Sequence, residues 1–224
     1  MVQPVHQRFA GSCMMLMHRA AEEARFCGTA FLVHVDGYLL TAATCVDPTE
    51  DLVAVPVYPG DSFSPVTLEE VTPIPVEVVR RDSEHDIALL RFIPEMSISV
   101  PDHILGNADR SELGSTVMCL GYSYGHNRLH SLVVLQATLS SKIETPAGHR
   151  LLLFDTLVHD GDRGGPLIDA HDARVIGITV APFDPIEIRP DEHHRDVTVA
   201  PTLSYAVSIE YGIALLEAEG VTVV

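Results

Sequence analysis

An all-β fold of two six-stranded antiparallel barrels followed by one closing helix is the architecture this sequence predicts. Three observations lead to it. Short Val/Leu/Ile-rich runs recur along the chain, separated by Gly, Pro, Asp and Asn. Apolar residues at helical spacing are scarce until the C-terminal end. The runs also fall into two groups of six on either side of Pro94–Asn107, a stretch with two prolines and few strand formers.

In the first group the expected strands are Cys13–His18, Ala30–Val35, Tyr38–Ala42, Leu52–Val57, Glu77–Arg81 and Ile87–Phe92. The Met14, Met15 and Met17 cluster in the first of these reads as core filling, because a flexible thioether chain packs irregular interiors well. "HVDGYL" sets Asp-Gly between the second and third runs, a strong hairpin signal. The second group is Thr116–Gly121, Ser131–Ser140, Arg150–Thr156, Pro166–Asp169, Val175–Ala181 and Ser204–Ser208. "SIEYGIALLEAEG" places Ile209, Ile213, Leu215 and Leu216 near one helical face, with Gly220 as C-cap. These elements make one domain over 1–224, with barrels at about 10–95 and about 106–208 and a helix at about 209–219. "PFDPIEIRPDEHHRD", rich in proline and charge, reads as an exposed loop.

Composition narrows the partners. The 224 residues are 46% hydrophobic, enough for a sizeable core, and carry a formal net charge of −17 from 14 basic and 31 acidic residues. Such a surface repels phosphate, so neither nucleic acid nor an anionic membrane is an expected partner. No apolar run approaches the roughly 20 residues of a membrane span. The patch Cys13–Met17 is too short for the core of a secretory leader, so with Met1 as the native start a cytoplasmic location is expected. The four cysteines, at 13, 27, 45 and 119, form no C-x-x-C pair and suggest no structural zinc site; no cofactor is called for.

Several stretches, in order, resemble the trypsin-like (chymotrypsin-fold) serine proteases, most closely their HtrA-type branch. "CGTAFLVHVDGYLLTAATCV" is similar to the segment that delivers the catalytic histidine. "EVVRRDSEHDIALLRF" is similar to the segment that delivers the aspartate, and "LGNADRSELGSTVMCLGYSYG" to the crossing into the second barrel. "GDRGGPLID" with "VIGITVA" resembles the nucleophile loop and the substrate-binding strand, and "SYAVSIEYGIALLE" the entry to the closing helix. The likeness runs from about Cys27 to Glu217, and with the sequence stopping at Val224 no following PDZ-type domain is expected.

The resemblance implies a site in which a serine attacks a carbonyl, a histidine takes its proton, an aspartate orients the imidazole and backbone N–H groups hold the oxyanion. Carried over by position, the aspartate is Asp86, but the histidine position holds Thr44 and the serine position Arg163. A threonine hydroxyl is no general base near neutral pH. A guanidinium stays protonated and cannot attack. Gly161 and Asp162 occupy the former oxyanion loop; Asp162, Gly161, Gly164 and Gly165 are expected to hold its shape. The pocket base falls on Leu157, and Pro182 stands where a backbone N–H would pair with an extended peptide. An Arg163–Asp86 pair, bidentate and buried, would explain why arginine is tolerated.

Cys27 and Cys45 match the disulfide beside the histidine in secreted trypsins, while in a cytoplasmic protein they would be reduced core thiols. Cys45 as a substitute nucleophile lacks a base beside it. His85 with His193 and His194 could make a surface metal site, against the reading that a chain with 12 histidines scatters them over loops. The sequence therefore favours a catalytically degenerate trypsin-like protein that acts by binding a protein partner, as adaptor, scaffold or regulator. The alternatives are a hydrolase with a non-standard site and a metal-binding module on the same fold.

Overall fold

The computed structural model describes residues 5–19, 24–57, 63, 65–67, 71–96, 98–101, 103–184 and 201–222. Its first six strands are β1 (Cys13–Arg19), β2 (Ala24–Leu32), β3 (Tyr38–Thr41), β4 (Leu52–Pro56), β5 (Ile74–Asp82) and β6 (Ile87–Phe92). They close into an antiparallel barrel in the order β1-β2-β3-β6-β5-β4. The next six are β7 (Thr116–Gly121), β8 (Val133–Glu144), β9 (Arg150–Phe154), β10 (Pro166–Asp169), β11 (Arg174–Pro182) and β12 (Ser204–Ser208), closed in the order β10-β11-β12-β9-β8-β7. Closure pairs both edges of every strand, which suits runs too apolar to leave an edge in water.

Register shifts at Leu16/Met17, Val78/Arg80, Leu139/Ser141 and Thr179/Ala181 supply the bends that closure needs. Met14 and Met15 are buried in the wall of the first barrel, as their reading as core filling requires. One core runs through both barrels, with Phe31, Leu120, Tyr122 and Ile178 fully buried in it.

The boundaries differ from the expected ones for local reasons. β2 begins at Ala24, because Ala24–Thr29 also pairs with β1, across a bulge at Cys27. β8 runs to Glu144, since the hairpin with β9 carries the polar "SSKIE" outward on ladder hydrogen bonds. A short helix, α1 (Val5–Ala10), precedes β1 without an amphipathic signal; Phe9 is its anchor, fully buried, and its carbonyl accepts from the Ser12 hydroxyl at 2.7 Å.

The closing helix, α2 (Ile209–Ala218), ends in a Schellman turn. Val221 N–H reaches the Leu216 carbonyl, Gly220 N–H reaches that of Glu217, and Gly220 takes φ +79°. Arg80 of the first barrel caps this end, bonding Glu219 Oε2 and the Ala218 carbonyl at 2.8 Å each, where a cation is favoured.

Candidate functional site

Three elements deliver Thr44, Asp86 and Arg163 to one cleft. Thr44 lies in the single 3-10 turn Ala43–Cys45 that follows β3. Asp86 ends the β5–β6 hairpin with φ +55°, a left-handed conformation that aspartate tolerates better than most residues. That twist turns its carbonyl to accept the Ala43 N–H and its carboxylate to accept the Thr44 N–H at 2.7 Å. The Thr44 hydroxyl then donates to Asp86 Oδ2 at 3.1 Å. Arg163 Nη1 donates to the same hydroxyl at 3.0 Å. The expected bidentate Arg163–Asp86 pair is therefore not formed. Thr44 stands between the two charges, and the half-buried Asp86 carboxylate takes its hydrogen bonds from the Thr44 N–H and hydroxyl instead.

The loop that carries Arg163 is held from beneath. Asp162 is fully buried; its Oδ1 accepts from the Ser123 hydroxyl at 2.6 Å and its Oδ2 from the His159 N–H at 2.8 Å. Burial pushes its carboxyl above the ordinary value, against the pull of those hydrogen bonds. Thr29, on β2, bridges the barrels: its hydroxyl donates to the Gly161 carbonyl at 2.8 Å and accepts the Tyr122 N–H at 3.0 Å. Its own N–H donates to the Arg163 carbonyl at 2.9 Å. Two glycines are required here. Gly164 takes φ +84° with its Cα against the Thr29 carbonyl, and a Cβ on Gly161 would lie 2.1 Å from the Tyr122 carbonyl oxygen.

Residues Asp160–Asp162 form a 3-10 turn, and the Arg163 N–H points back at the Asp160 carbonyl at 3.4 Å. An oxyanion hole needs donors aimed at an empty position. Here one donor is turned onto a carbonyl of its own loop.

The cleft in front of the trio has a volume of about 570 Å³ and is bounded by Thr44, Asp86, Arg163, Pro182, Phe183 and Tyr205, among others. Pro182 lies at the end of β11 opposite Ser204, and so adds no N–H to the cleft wall. Leu157, placed at a pocket base by the resemblance, is 48% exposed and does not line this cleft.

All four cysteines are free thiols. Cys27 donates to the Leu16 carbonyl at 3.0 Å and Cys45 to the Arg163 carbonyl at 3.7 Å, so of the two readings of this pair the structure has the reduced thiols and not the bridge. Burial pushes the Cys45 thiol up to about 12, beyond what the nearby Arg163 offsets, which leaves it a poor nucleophile. His85 Nδ1 meets Asp82 at 2.6 Å, and its ring stacks on Tyr211 with centroids 3.7 Å apart. His193 and His194 lie outside the described residues. Among the described residues no three His, Cys, Asp or Glu side chains converge on a metal position.

Thr29, Ser123 and the aromatic wall of Phe183 and Tyr205 were not singled out from the sequence. Thr29 had a signal, a hydroxyl in the otherwise apolar "CGTAFL", since a buried polar group must find partners. Ser123 in a turn and two aromatics on separate segments carry no such local mark.

Comparison with known proteins points one way. The family description "Trypsin-like peptidase domain" matches residues 28–178. The chain is 26% identical over 161 residues to a "Probable periplasmic serine endoprotease DegP-like" of Halomonas elongata, covering 70% of this chain and 30% of that protein. It is 26% identical over 154 residues to the protein of the same description in Chlamydia pneumoniae, covering 69% and 28%. Among solved structures, the HtrA-type protease AlgW with tripeptide superposes at a TM-score of 0.70 with 19% identity, covering 96% of this chain and 62% of that one. The chain thus spans under a third of the two curated relatives and under two thirds of the solved chain.

Proposed function

Because this chain belongs to the trypsin-like peptidase domain family, its inter-barrel cleft is where function is sought, and we propose that it binds a protein partner there without hydrolysing it. The observation that carries this reading is the trio Thr44, Asp86 and Arg163. Arg163, at the place the resemblance gives to the nucleophile, is a permanent cation hydrogen-bonded to Thr44. The Thr44 hydroxyl both donates to a carboxylate and accepts from a guanidinium, so it neither takes a proton nor is freed to attack. The Arg163 N–H, bound to Asp160, adds a closed oxyanion position. With base, nucleophile and one oxyanion donor all missing, neither the acid–base nor the electrostatic part of acyl transfer is supplied. The net charge of −17 favours a partner with a neutral or basic contact face.

The test is turnover. Incubation with a fluorophosphonate probe, casein and broad peptide libraries is expected to give no labelling and no cleavage. Cleavage that disappears in Arg163→Ala or Thr44→Val would overturn the reading.

A further inference from the structure

We infer that Arg163 makes the cleft a binding site for the carboxylate of a peptide, an inference that rests on the non-catalytic reading and gives it a ligand. Among the described residues the guanidinium has one hydrogen-bond partner, the Thr44 hydroxyl, and that contact uses one N–H of Nη1. Arg163 is part of the wall of the cleft of about 570 Å³, and its guanidinium has N–H groups beyond the one given to Thr44. The residue is half-buried and its backbone is fixed on both sides, the N–H by the Asp160 carbonyl and the carbonyl by the Thr29 N–H at 2.9 Å. A planar fork of donors, held on a rigid loop and open on one side, matches a carboxylate in bidentate geometry.

The opposite wall accepts an extended chain. β10 pairs with β11 only as far as Ile178, whereas β11 continues to Pro182 with β12 on its other side. Among the described residues no strand pairs with Val180 to Pro182 on the side away from β12, and Val180, Ala181 and Pro182 line the cleft. A peptide can add along such an edge, but Pro182 has no N–H to offer it, so strand addition is short of a bond. The Phe183 and Tyr205 rings, edge to face at 6.3 Å, give apolar contact beside it. The charge-assisted fork of Arg163 is the group left to fix the ligand. Asp86 lines the same cleft and disfavours an acidic stretch, so one carboxylate at Arg163 followed by neutral or basic residues is the fitting chemistry.

The source of the carboxylate is a chain terminus or an acidic side chain, and the experiment separates them. The protein, labelled with nitrogen-15, is titrated with pools of N-acetylated hexapeptides randomised over all residues but aspartate, glutamate and cysteine. One pool ends in the free acid, a second in carboxamide, and a third in a fixed glutamate followed by carboxamide. The Arg163 Nε–H resonance is assigned by its loss in Arg163→Lys. The free-acid pool is expected to shift that resonance and to bind about tenfold or more tightly than the carboxamide pool, with the preference erased in Arg163→Ala. Recovery of binding by the glutamate pool would assign the carboxylate to a side chain, and failure to recover would assign it to the terminus. Equal binding of all three pools, a preference that survives Arg163→Ala, or no binding of any pool would overturn the inference. Mass spectrometry of the same pools reports cleavage, which would instead sink the non-catalytic reading on its own.

Discussion

Arg163 and Asp86 share the Thr44 hydroxyl without touching one another. The guanidinium donates to that oxygen at 3.0 Å, and the hydroxyl donates onward to the carboxylate at 3.1 Å. A cation and an anion are thereby joined through a neutral relay. The second carboxylate oxygen is already met by the Thr44 N–H at 2.7 Å, so Asp86 does not depend on the arginine for its partners.

Removing the cation should therefore cost little. Arg163→Ala deletes one hydrogen bond to a partly exposed hydroxyl, a loss of about 1 kcal/mol or less in stability. Orphaning a buried ion pair would instead cost roughly 3–5 kcal/mol. Urea denaturation of the two proteins separates these, and a loss in the larger range would mean that guanidinium and carboxylate are in contact in solution.

Thr29 is the more sensitive position. Its hydroxyl donates to the Gly161 carbonyl and accepts the Tyr122 N–H, and all three residues are buried. Thr29→Val preserves shape but leaves a carbonyl and an N–H without partners. Each orphan costs about 1–3 kcal/mol, so a loss of roughly 2–4 kcal/mol is expected, with Thr29→Ser closer to the parent. A midpoint unchanged in Thr29→Val would show that water replaces the hydroxyl.

Asp162 should leave a signature in the pH dependence of stability. Burial raises its folded-state carboxyl above the unfolded value of 3.8. A raised carboxyl binds its proton more readily folded than unfolded, so its contribution is fully present below 3.8 and is lost as pH rises through the folded value. The stability of the parent protein relative to Asp162→Asn should accordingly improve as pH is lowered through the folded value toward 3.8, and be flat above the folded value. Denaturation midpoints of both proteins across that range give the difference directly. The opposite drift would mean that the Ser123 and His159 hydrogen bonds outweigh burial.

The barrels were legible in the sequence because period-two and continuous apolar runs, broken by turn residues, are local signals. Tyr38–Thr41, Thr116–Gly121, Pro166–Asp169 and Ser204–Ser208 fall within or on their expected bounds for that reason. The trio was legible too, since Thr44, Asp86 and Arg163 each sit inside a recognisable segment. Its wiring was not. Whether Arg163 reaches Asp86 or stops at Thr44 is decided by the φ of +55° at Asp86, which turns the carboxylate onto the Thr44 N–H. A residue count could not place Leu157 either. Six positions back from Arg163 is a statement about sequence, whereas the course of the chain before the 3-10 turn at Asp160–Asp162 decides what faces the cleft.

That turn also bears on whether the lost chemistry can be restored. Thr44→His combined with Arg163→Ser supplies an imidazole and a hydroxyl beside Asp86. The N–H of residue 163 would still face the Asp160 carbonyl, and turning that peptide outward means opening a turn anchored by the buried Asp162. A single oxyanion donor is worth on the order of 10²–10³ in rate. The double variant is therefore expected to remain at the parent level in casein and peptide cleavage and to take up fluorophosphonate slowly or not at all. Rapid stoichiometric labelling would show that the turn opens freely. In that case the side chains at positions 44 and 163, and not the backbone between Asp160 and Arg163, would be what keeps the cleft from catalysis.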